Sequence, residues 1–334
     1  MKKACVTGGN GYLASALIKQ LLENGYHVNA TVRNPDDIAK VSHLKKLEEI
    51  GTLKLFQADL MVEGSVDEAV IGCDYVFHVA APTNLMSDDP ENELIRPAIQ
   101  GTLNVLKSCL KAKTVERVVY TSSGSAVSVN QQKGTGYVLD EEAWSDVDYL
   151  MGEKPPTWGY IVSKTLAEKE ALKFASENQM DLVTIVPTLI VGPGLSLEVP
   201  VSIHMALSLF TGDEMWINGL SAMETLSGSI SMVHLKDIVR AHIFLAENPS
   251  ASGRYICTAV NTSLAEIASF LTKQYPQYKV FYDVHDIPAK AKLSLSSKKL
   301  IQAGFEFNYK MEEIFDTAIE YGKSKGMLPK QDHS

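Results

Sequence analysis

Cysteine is scarce. Four occur in 334 residues, at Cys5, Cys73, Cys109 and Cys257. None forms a Cys-x-x-Cys and none pairs with clustered histidine, so neither a zinc site nor a disulfide framework is indicated. Cys5 and Cys73 lie in or beside apolar runs and read as buried thiols. Positive charge is also short: 31 Lys and Arg face 40 Asp and Glu, for a net charge of -9. The pairs Lys45-Lys46 and Lys298-Lys299 are isolated, which disfavours a nucleic-acid or anionic-membrane partner. Long apolar runs are missing. The most apolar late stretch, Leu182 to Val191, is too short to span a bilayer and is broken by Pro187, so no membrane insertion is expected. Met1-Lys2-Lys3 leads almost at once into a strand-like run, leaving no room for a signal peptide. Asn29-Ala30-Thr31 and Asn261-Thr262-Ser263 then read as chance sequons, and the expected compartment is the cytosol. Internal repeats and low-complexity segments are absent. What remains, 45% hydrophobic and 21% charged, is an ordinary globular composition. Nothing in it sets an oligomeric state.

The N-terminal residues are more informative. Ala4-Cys5-Val6-Thr7 reads as a buried strand. Gly8-Gly9-Asn10-Gly11-Tyr12-Leu13-Ala14 follows and runs into the helix-period residues Leu17, Ile18, Leu21 and Leu22, closed by Asn24-Gly25. His27 to Val32 is strand-like again. Strand, glycine turn, helix and strand make a βαβ unit. The turn matches Gly-x-x-Gly-x-x-Ala at Gly8, Gly11 and Ala14. Gly8 permits the tight turn, and Gly11 lets a pyrophosphate approach the backbone at the helix N-terminus, where free N–H groups favour anions. Ala14 is small enough for the helix to pack on the strand. A dinucleotide site is expected here. The second strand ends at Arg33, where an NAD site usually carries Asp or Glu for the ribose hydroxyls. An arginine fork suits the 2′-phosphate of NADP, with Lys40 adding charge, so the expected cofactor is NADP(H).

The alternation continues. Leu53 to Gln57 is a third strand, ending at Ala58-Asp59-Leu60; Asp59 is placed either for the adenine amino group or for a helix N-cap. Tyr75 to Val79 is a fourth, leading into Ala80-Ala81-Pro82, with His78 read as a packed strand residue. A long helix is expected from about Asn92 to Lys113. Arg117 to Tyr120 is a fifth strand, ending in Thr121-Ser122-Ser123-Gly124-Ser125. Serine there lies on the ligand face of an open α/β sheet and can hydrogen-bond a substrate carbonyl, or it can simply bond within the turn. Gly134-Thr135-Gly136 marks a turn. Tyr160 and Lys164 then stand four residues apart on a helix, hence on one face. A lysine there is expected to lower the phenol's pKa and make Tyr160 a proton donor or acceptor. Asp181 to Val186 is a sixth strand, and Pro187 to Gly194 an exit of the kind that borders a cofactor. Helical patterns recur at Ile203–Leu209, Leu235–Ala246, Leu264–Tyr275 and Glu312–Lys325, with short strands at Tyr255-Ile256-Cys257 and Lys279-Val280-Phe281. The fold class is therefore α/β: an NAD(P)-binding Rossmann, doubly wound parallel sheet with a smaller mixed α/β substrate lobe. The expected division is 1–190 for the NADP-binding domain, with returning elements at about 228–258, and 191–334 for the substrate lobe.

Gly8/Gly11/Ala14, Arg33, Asp59, Ser123, Tyr160 and Lys164, in that order, resemble the extended short-chain dehydrogenase/reductase family. The likeness extends to the plant dihydroflavonol reductase group, and within it to the anthocyanidin reductases. The segments that carry it include Asp89-Pro90-Glu91-Asn92, Lys154 to Tyr160, Ser163 to Lys169, Leu226 to Ser229, Arg240 to Phe244 and Ser252 to Cys257. The resemblance implies NADPH-dependent reduction of an anthocyanidin to a flavan-3-ol, the small-molecule partner being a flavonoid. It implies a catalytic set of Ser123, Tyr160 and Lys164. Cofactor contacts would come from Thr7, Gly8, Gly11, Tyr12 and Leu13 at the turn, and from Arg33 and Lys40 at the 2′-phosphate. Asp59, Leu60, Val79, Ala80 and Ala81 would line the adenine and ribose. Pro187, Thr188, Leu189, Ile190 and Ser202 would border the nicotinamide, with Tyr160 and Lys164 reaching its ribose. Ser128, standing where dihydroflavonol reductases carry Asn or Asp, would line the substrate pocket with Asn84 and Leu226. Two departures stand out: Ser128 itself, and Val79-Ala80-Ala81-Pro82, where relatives usually carry Ala-Thr-Pro. A related carbonyl reductase on another phenylpropanoid or terpenoid is the alternative. A nucleotide-sugar epimerase or dehydratase and an NADP sensor without catalysis are more distant ones. No metal is expected.

Overall fold

The structure is a computed structural model describing residues 2–85, 87–130, 136–282 and 293–328. The first half alternates strand and helix: β1 (Lys3–Val6), α1 (Tyr12–Glu23), β2 (His27–Val32), α2 (Ile38–Lys45), β3 (Leu53–Gln57), α3 (Asp67–Val70), β4 (Tyr75–His78), α4 (Arg96–Ala112) and β5 (Arg117–Thr121). There follow α5 (Ser125–Ser128), β6 (Tyr137–Leu139), α6 (Val147–Glu153), α7 (Trp158–Glu177), β7 (Leu182–Pro187) and β8 (Leu189–Val191). The remainder holds α8 (Val201–Thr211), α9 (Glu214–Ser227), β9 (Ile230–His234), α10 (Leu235–Glu247), β10 (Gly253–Cys257), β11 (Val260–Thr262), α11 (Leu264–Gln274), β12 (Leu293–Leu295), α12 (Lys298–Gln302) and α13 (Met311–Ser324).

Seven strands form one sheet in the order β10-β7-β5-β4-β1-β2-β3, every pair parallel. A parallel sheet is covered on both faces, so its strands read as near-continuous apolar runs; β1, β4, β5 and β7 are buried almost throughout. One face packs under α1 and α10 through Leu17, Ile18, Leu21, Ile238 and Leu245. The other packs under α3, α4 and α7 through Val70, Val105, Leu106, Ala171 and Ala175. The chain order reverses between β1 and β4. In an open α/β sheet that reversal leaves a crevice beyond the carboxyl ends of the strands, and ligands bind there.

A separate core joins α8, α9, α11 and α13 around Ile203, Leu207, Leu220, Leu271 and Phe315. Beside it lies a three-stranded sheet, β11-β9-β8. β8 leaves directly from the end of β7, and β10 returns to the large sheet beside β7. Among the described residues no helix is long and apolar enough to cross a membrane, and no group of His, Cys, Asp and Glu could hold a metal.

Three local expectations differ from the fold. The single helix from Asn92 is a π-helical turn, Glu91–Ile95, feeding α4. Pro97 stands in the first turn of α4 and has no N–H to donate to the turn before it, which disfavours continuous α-helical bonding there. Lys279-Val280-Phe281 is not a strand: Phe281 N donates to Leu209 O at 2.8 Å, without a ladder on either side. Helix α9 had no counterpart in the pattern reading, yet its ends carry ordinary signals. Asp213 caps Met215 N at 3.1 Å, and Gly228 closes the helix at φ 75°. Of the Gly134-Thr135-Gly136 turn, Gly134 and Thr135 lie outside the described residues, and Gly136 has φ 85°.

Candidate active site

The glycine turn is built for close approach. Gly8 has φ 68°, and a Cβ on it would lie 2.8 Å from Ala80 Cβ. The turn after β1 and the small residues after β4 therefore fit against each other directly. Gly11 heads α1 with no side-chain cap, and a Cβ there would meet only the Gly8 carbonyl oxygen, at 3.2 Å. The first turn of α1 carries no acidic residue. An uncapped helix N-terminus above a bare glycine is an anion cradle, and a pyrophosphate fits it. Thr7 lies beneath and is fully buried. Its Oγ1 accepts from the backbone N–H groups of Val79 and Ala80, both at 3.1 Å, and bonds His78 Nδ1 at 2.9 Å. His78 is buried and neutral, pushed down to about 3 chiefly by burial. Tyr12 donates to Gly192 O at 2.6 Å, and Gly194 packs on its ring, which pins the exit after β8 over α1. Leu13 is buried in the core.

The adenine side is open. Arg33, just past β2, is exposed and has no side-chain partner among the described residues; Lys40 is exposed, 3.8 Å from Asp37. Asp59 is exposed and caps Met61 N at 2.9 Å, the turn-capping role, which leaves its second oxygen for a ligand. Leu60 packs on Gly101, and its carbonyl accepts from Asn104 at 2.8 Å. Val79, Ala80 and Ala81 are half-buried between these two sides.

The reactive groups meet where β5 ends against α7. The Ser123 hydroxyl faces the Tyr160 phenol and favours its ionised form. Ser125 donates its own hydroxyl to Ser123 Oγ at 2.9 Å. Lys164 is buried and its Nζ donates to Thr121 O at 2.9 Å. Burial pushes its pKa down to about 8, and the carboxylate of Glu168 pulls the other way. The four-residue spacing predicts that Lys164 depresses the phenol of Tyr160. Here the phenol is instead raised: burial strips water from the phenolate, and the group drawing it back down is Ser123.

The start of α7 is held under strain. Thr157 and Lys154 have φ 63° and 47°, and a β-branched residue at positive φ is a genuine outlier of the kind found at functional sites. A small cleft of about 40 Å³ opens against Tyr160, lined by Leu85, Ser87, Pro90, Leu94, Thr157, Trp158 and Gly159. Gly159 admits Pro90: a Cβ on it would lie 2.2 Å from Pro90 Cβ. Gly159→Ala is therefore expected to cost about 1–3 kcal/mol of stability by overpacking. Urea unfolding measures the loss, and Pro90→Gly in the same chain should recover it.

Of the expected substrate residues, Ser128 is buried at the end of α5. Asn84 is exposed after β4 and donates to Glu93 of the π-helical turn at 3.3 Å. Leu226, near the end of α9, packs on the cluster holding Ile161 and Val162 of α7. These three come from separate elements. Pro187 accepts from Gly124 N at 2.7 Å, and Thr188 Oγ1 bonds Thr258 at 3.2 Å. Leu189 and Ile190 are half-buried in β8, and Ser202 stands half-buried in the first turn of α8.

Residue-by-residue reading missed two pairings. Arg254 and Glu168 form a buried ion pair at 2.8 Å. Arg117 binds Asp181 at 2.9 Å and the carbonyls of Leu245 and Asn248. Both arginines sit within strands that are otherwise apolar, and a charge there requires a partner; that was the available signal.

Comparison with known proteins places this geometry among relatives. The model of the family described as "NAD dependent epimerase/dehydratase family" matches residues 4–258. The chain is 57% identical over 327 residues to a (2S)-flavan-3-ol-forming anthocyanidin reductase of Vitis vinifera, covering 98% of this chain and 97% of the relative. The crystal structure of vestitone reductase from alfalfa (Medicago sativa) superposes with a TM-score of 0.84 at 40% identity, covering 98% of this chain and 100% of that one. Gre2 from Candida albicans, solved in complex with NADPH, superposes at 0.81 with 25% identity, over 97% of this chain and 99% of that one.

Proposed function

Since the chain belongs to the NAD dependent epimerase/dehydratase family, we propose that it is an NADPH-dependent flavonoid reductase converting an anthocyanidin to a flavan-3-ol. The observation that carries the reading is 57% identity to an anthocyanidin reductase over 98% of the chain. Ser123, Tyr160 and Lys164 gathered at the carboxyl end of β5 support it. NADPH supplies hydride. An anthocyanidin is a flavylium cation, so two hydrides and one proton give the neutral flavan-3-ol.

The residues divide the work. The Gly8–Gly11 turn and the N-terminus of α1 hold the pyrophosphate, with Thr7, Tyr12 and Leu13 supporting the turn. Arg33 and Lys40 take the 2′-phosphate, and Asp59, Leu60 and Val79 to Ala81 line the adenine and ribose. Lys164 reaches the nicotinamide ribose, and Pro187 to Ile190 with Ser202 border the ring. Tyr160, polarised by Ser123, delivers the proton. Ser128, Asn84 and Leu226 line the flavonoid. We place the enzyme in the cytosol.

The 40% identity to vestitone reductase favours a second reading, reduction of a carbonyl on another phenylpropanoid. Assaying cyanidin, dihydroquercetin and assorted aldehydes with NADPH separates the two. Preferred turnover of cyanidin is expected; turnover of the carbonyl compounds alone would transfer the assignment to the second reading.

A further inference from the structure

Three consecutive residues at and just past the end of β5 each face one residue of α7. The Thr121 carbonyl accepts from Lys164 Nζ at 2.9 Å, the Ser122 hydroxyl donates to Glu168 Oε2 at 2.6 Å, and the Ser123 hydroxyl draws the Tyr160 phenol down against burial. Residues 160, 164 and 168 recur at intervals of four, so they share one face of the helix. The first two belong to the reductase machinery proposed above. Glu168 has no role there, yet it is fully buried.

A buried carboxylate is costly unless it is paired and its lone pairs are satisfied. Arg254 does this, with Nε 2.8 Å from Oε1 and Nη2 3.2 Å from Oε2. The guanidinium is itself fixed by the carbonyls of Glu141 at 2.6 Å and Ala143 at 2.8 Å, and it lies 3.6 Å from the ring centre of Trp144. Apolar side chains would hold α7 on the sheet with less desolvation, so a charged pair invites another use.

We propose that Glu168 is a positioning residue: its carboxylate, fixed by Arg254 and Ser122, keeps the neighbouring Lys164 ammonium charged for reduction. This rests on the reading that Lys164 serves the reductase. The other titratable groups near Lys164 are Tyr160 on α7, Tyr120 on β5, whose ring centre is 5.5 Å from Nζ, and His78 on β4, which is neutral. His242 of α10 touches the site through Thr121 Oγ1 at 2.8 Å and is also neutral, pushed down to about 4 by burial. Glu91 of the π-helical turn is half-buried and paired with Arg96 at 3.3 Å. Glu93 of that turn and Asp148 and Glu153 of α6 are exposed. Among these only Glu168 brings a buried negative charge. Burial has already brought Lys164 down to about 8, so the ammonium form is lost as pH rises through that value, and removing the carboxylate moves the loss to lower pH.

The test compares Glu168→Gln, which keeps the shape and loses the charge, with Glu168→Asp, which keeps the charge and shortens the reach. Lys164 is titrated in the cofactor-free protein by 13C NMR of lysine labelled at Cε, its signal identified by Lys164→Arg. The alkaline limb of the cyanidin-dependent rate is measured in parallel. E168Q is expected to titrate Lys164 about one pH unit lower and to move the alkaline limb by the same amount. E168D should leave both near wild type. A purely structural Glu168 would give the reverse ranking, with the isosteric Gln tolerated and the shorter Asp harmful at every pH, and that result overturns the proposal. Should E168Q not fold, E168D decides: a Lys164 titration near wild type supports the proposal, and a downward shift of a unit overturns it. If the NMR shift appears while cyanidin is not reduced, the electrostatic role stands and the assigned function fails. Reduction with an unmoved Lys164 titration removes the proposal alone.

Discussion

Tyr160→Phe should lose turnover by about 10²–10⁴-fold, the usual contribution of a positioned general acid or base. The hydroxyl is the only group removed. The ring that lines the cleft beside Pro90 and Trp158 persists in phenylalanine, so the loss isolates the proton. For a flavylium cation the effect divides by step. Capture of a first hydride neutralises the cation and needs no proton, whereas the overall conversion needs one. Single-turnover oxidation of NADPH should therefore proceed faster in Y160F than the steady-state rate allows, with the defect appearing at a later step. For a carbonyl substrate, hydride and proton arrive at the same group, and both rates should fall together. Unchanged steady-state turnover would remove Tyr160 from the chemistry.

Arg33→Asp should invert the cofactor preference. Arg33 is exposed at the end of β2 with no side-chain partner among the described residues, so its removal breaks nothing in the fold. A charge-assisted bond to a phosphate contributes roughly 1.5–3 kcal/mol, which corresponds to about tenfold to hundredfold in the Kd for NADPH. The new carboxylate also repels the 2′-phosphate while accepting hydrogen bonds from the free ribose hydroxyls of NADH. Fluorescence titration should show NADPH weakened, NADH strengthened and the melting temperature unchanged. A wild-type preference for NADH would contradict the role given to Arg33. Lys40 lies in the first turn of α2, already near Asp37, so Lys40→Ala should have the smaller effect.

The first half of the fold was legible because each element announces itself locally. β1, the glycine turn and α1 follow from Gly8, Gly11 and the apolar spacing of Leu17 to Leu22. Parallel strands buried on both faces leave continuous apolar runs. The later elements were harder for a physical reason. Helix α9 is bounded by good caps but is only partly buried, so its apolar stripe is weak, and β8, β9, β11 and β12 are at most five residues long. The break at Glu91–Ile95 depended on Pro97, whose effect reaches back into the turn before it.

In the candidate site, the residues on the ligand face were readable from position alone, since Ser123 ends a strand and Tyr160 and Lys164 share a helix face. Their electrostatics were not. The charge relation that spacing suggested between Tyr160 and Lys164 is replaced by contacts that depend largely on residues far away in sequence. Ser123 acts on the phenol, Thr121 holds the ammonium, and Glu168 with Arg254 lies behind it. Burial sets the direction of each shift, and burial is a property of the assembled fold.

The central claim is net reduction of a flavonoid at the expense of NADPH, and its most direct measurement is stoichiometry. Purified protein is mixed with limiting cyanidin and excess NADPH, cofactor oxidation is followed to completion, and the product is identified by chromatography and mass. We predict two NADPH consumed for each cyanidin, with a flavan-3-ol as the product. A product formed without net consumption of NADPH, or no turnover of cyanidin beside rapid reduction of a simple carbonyl, would contradict it.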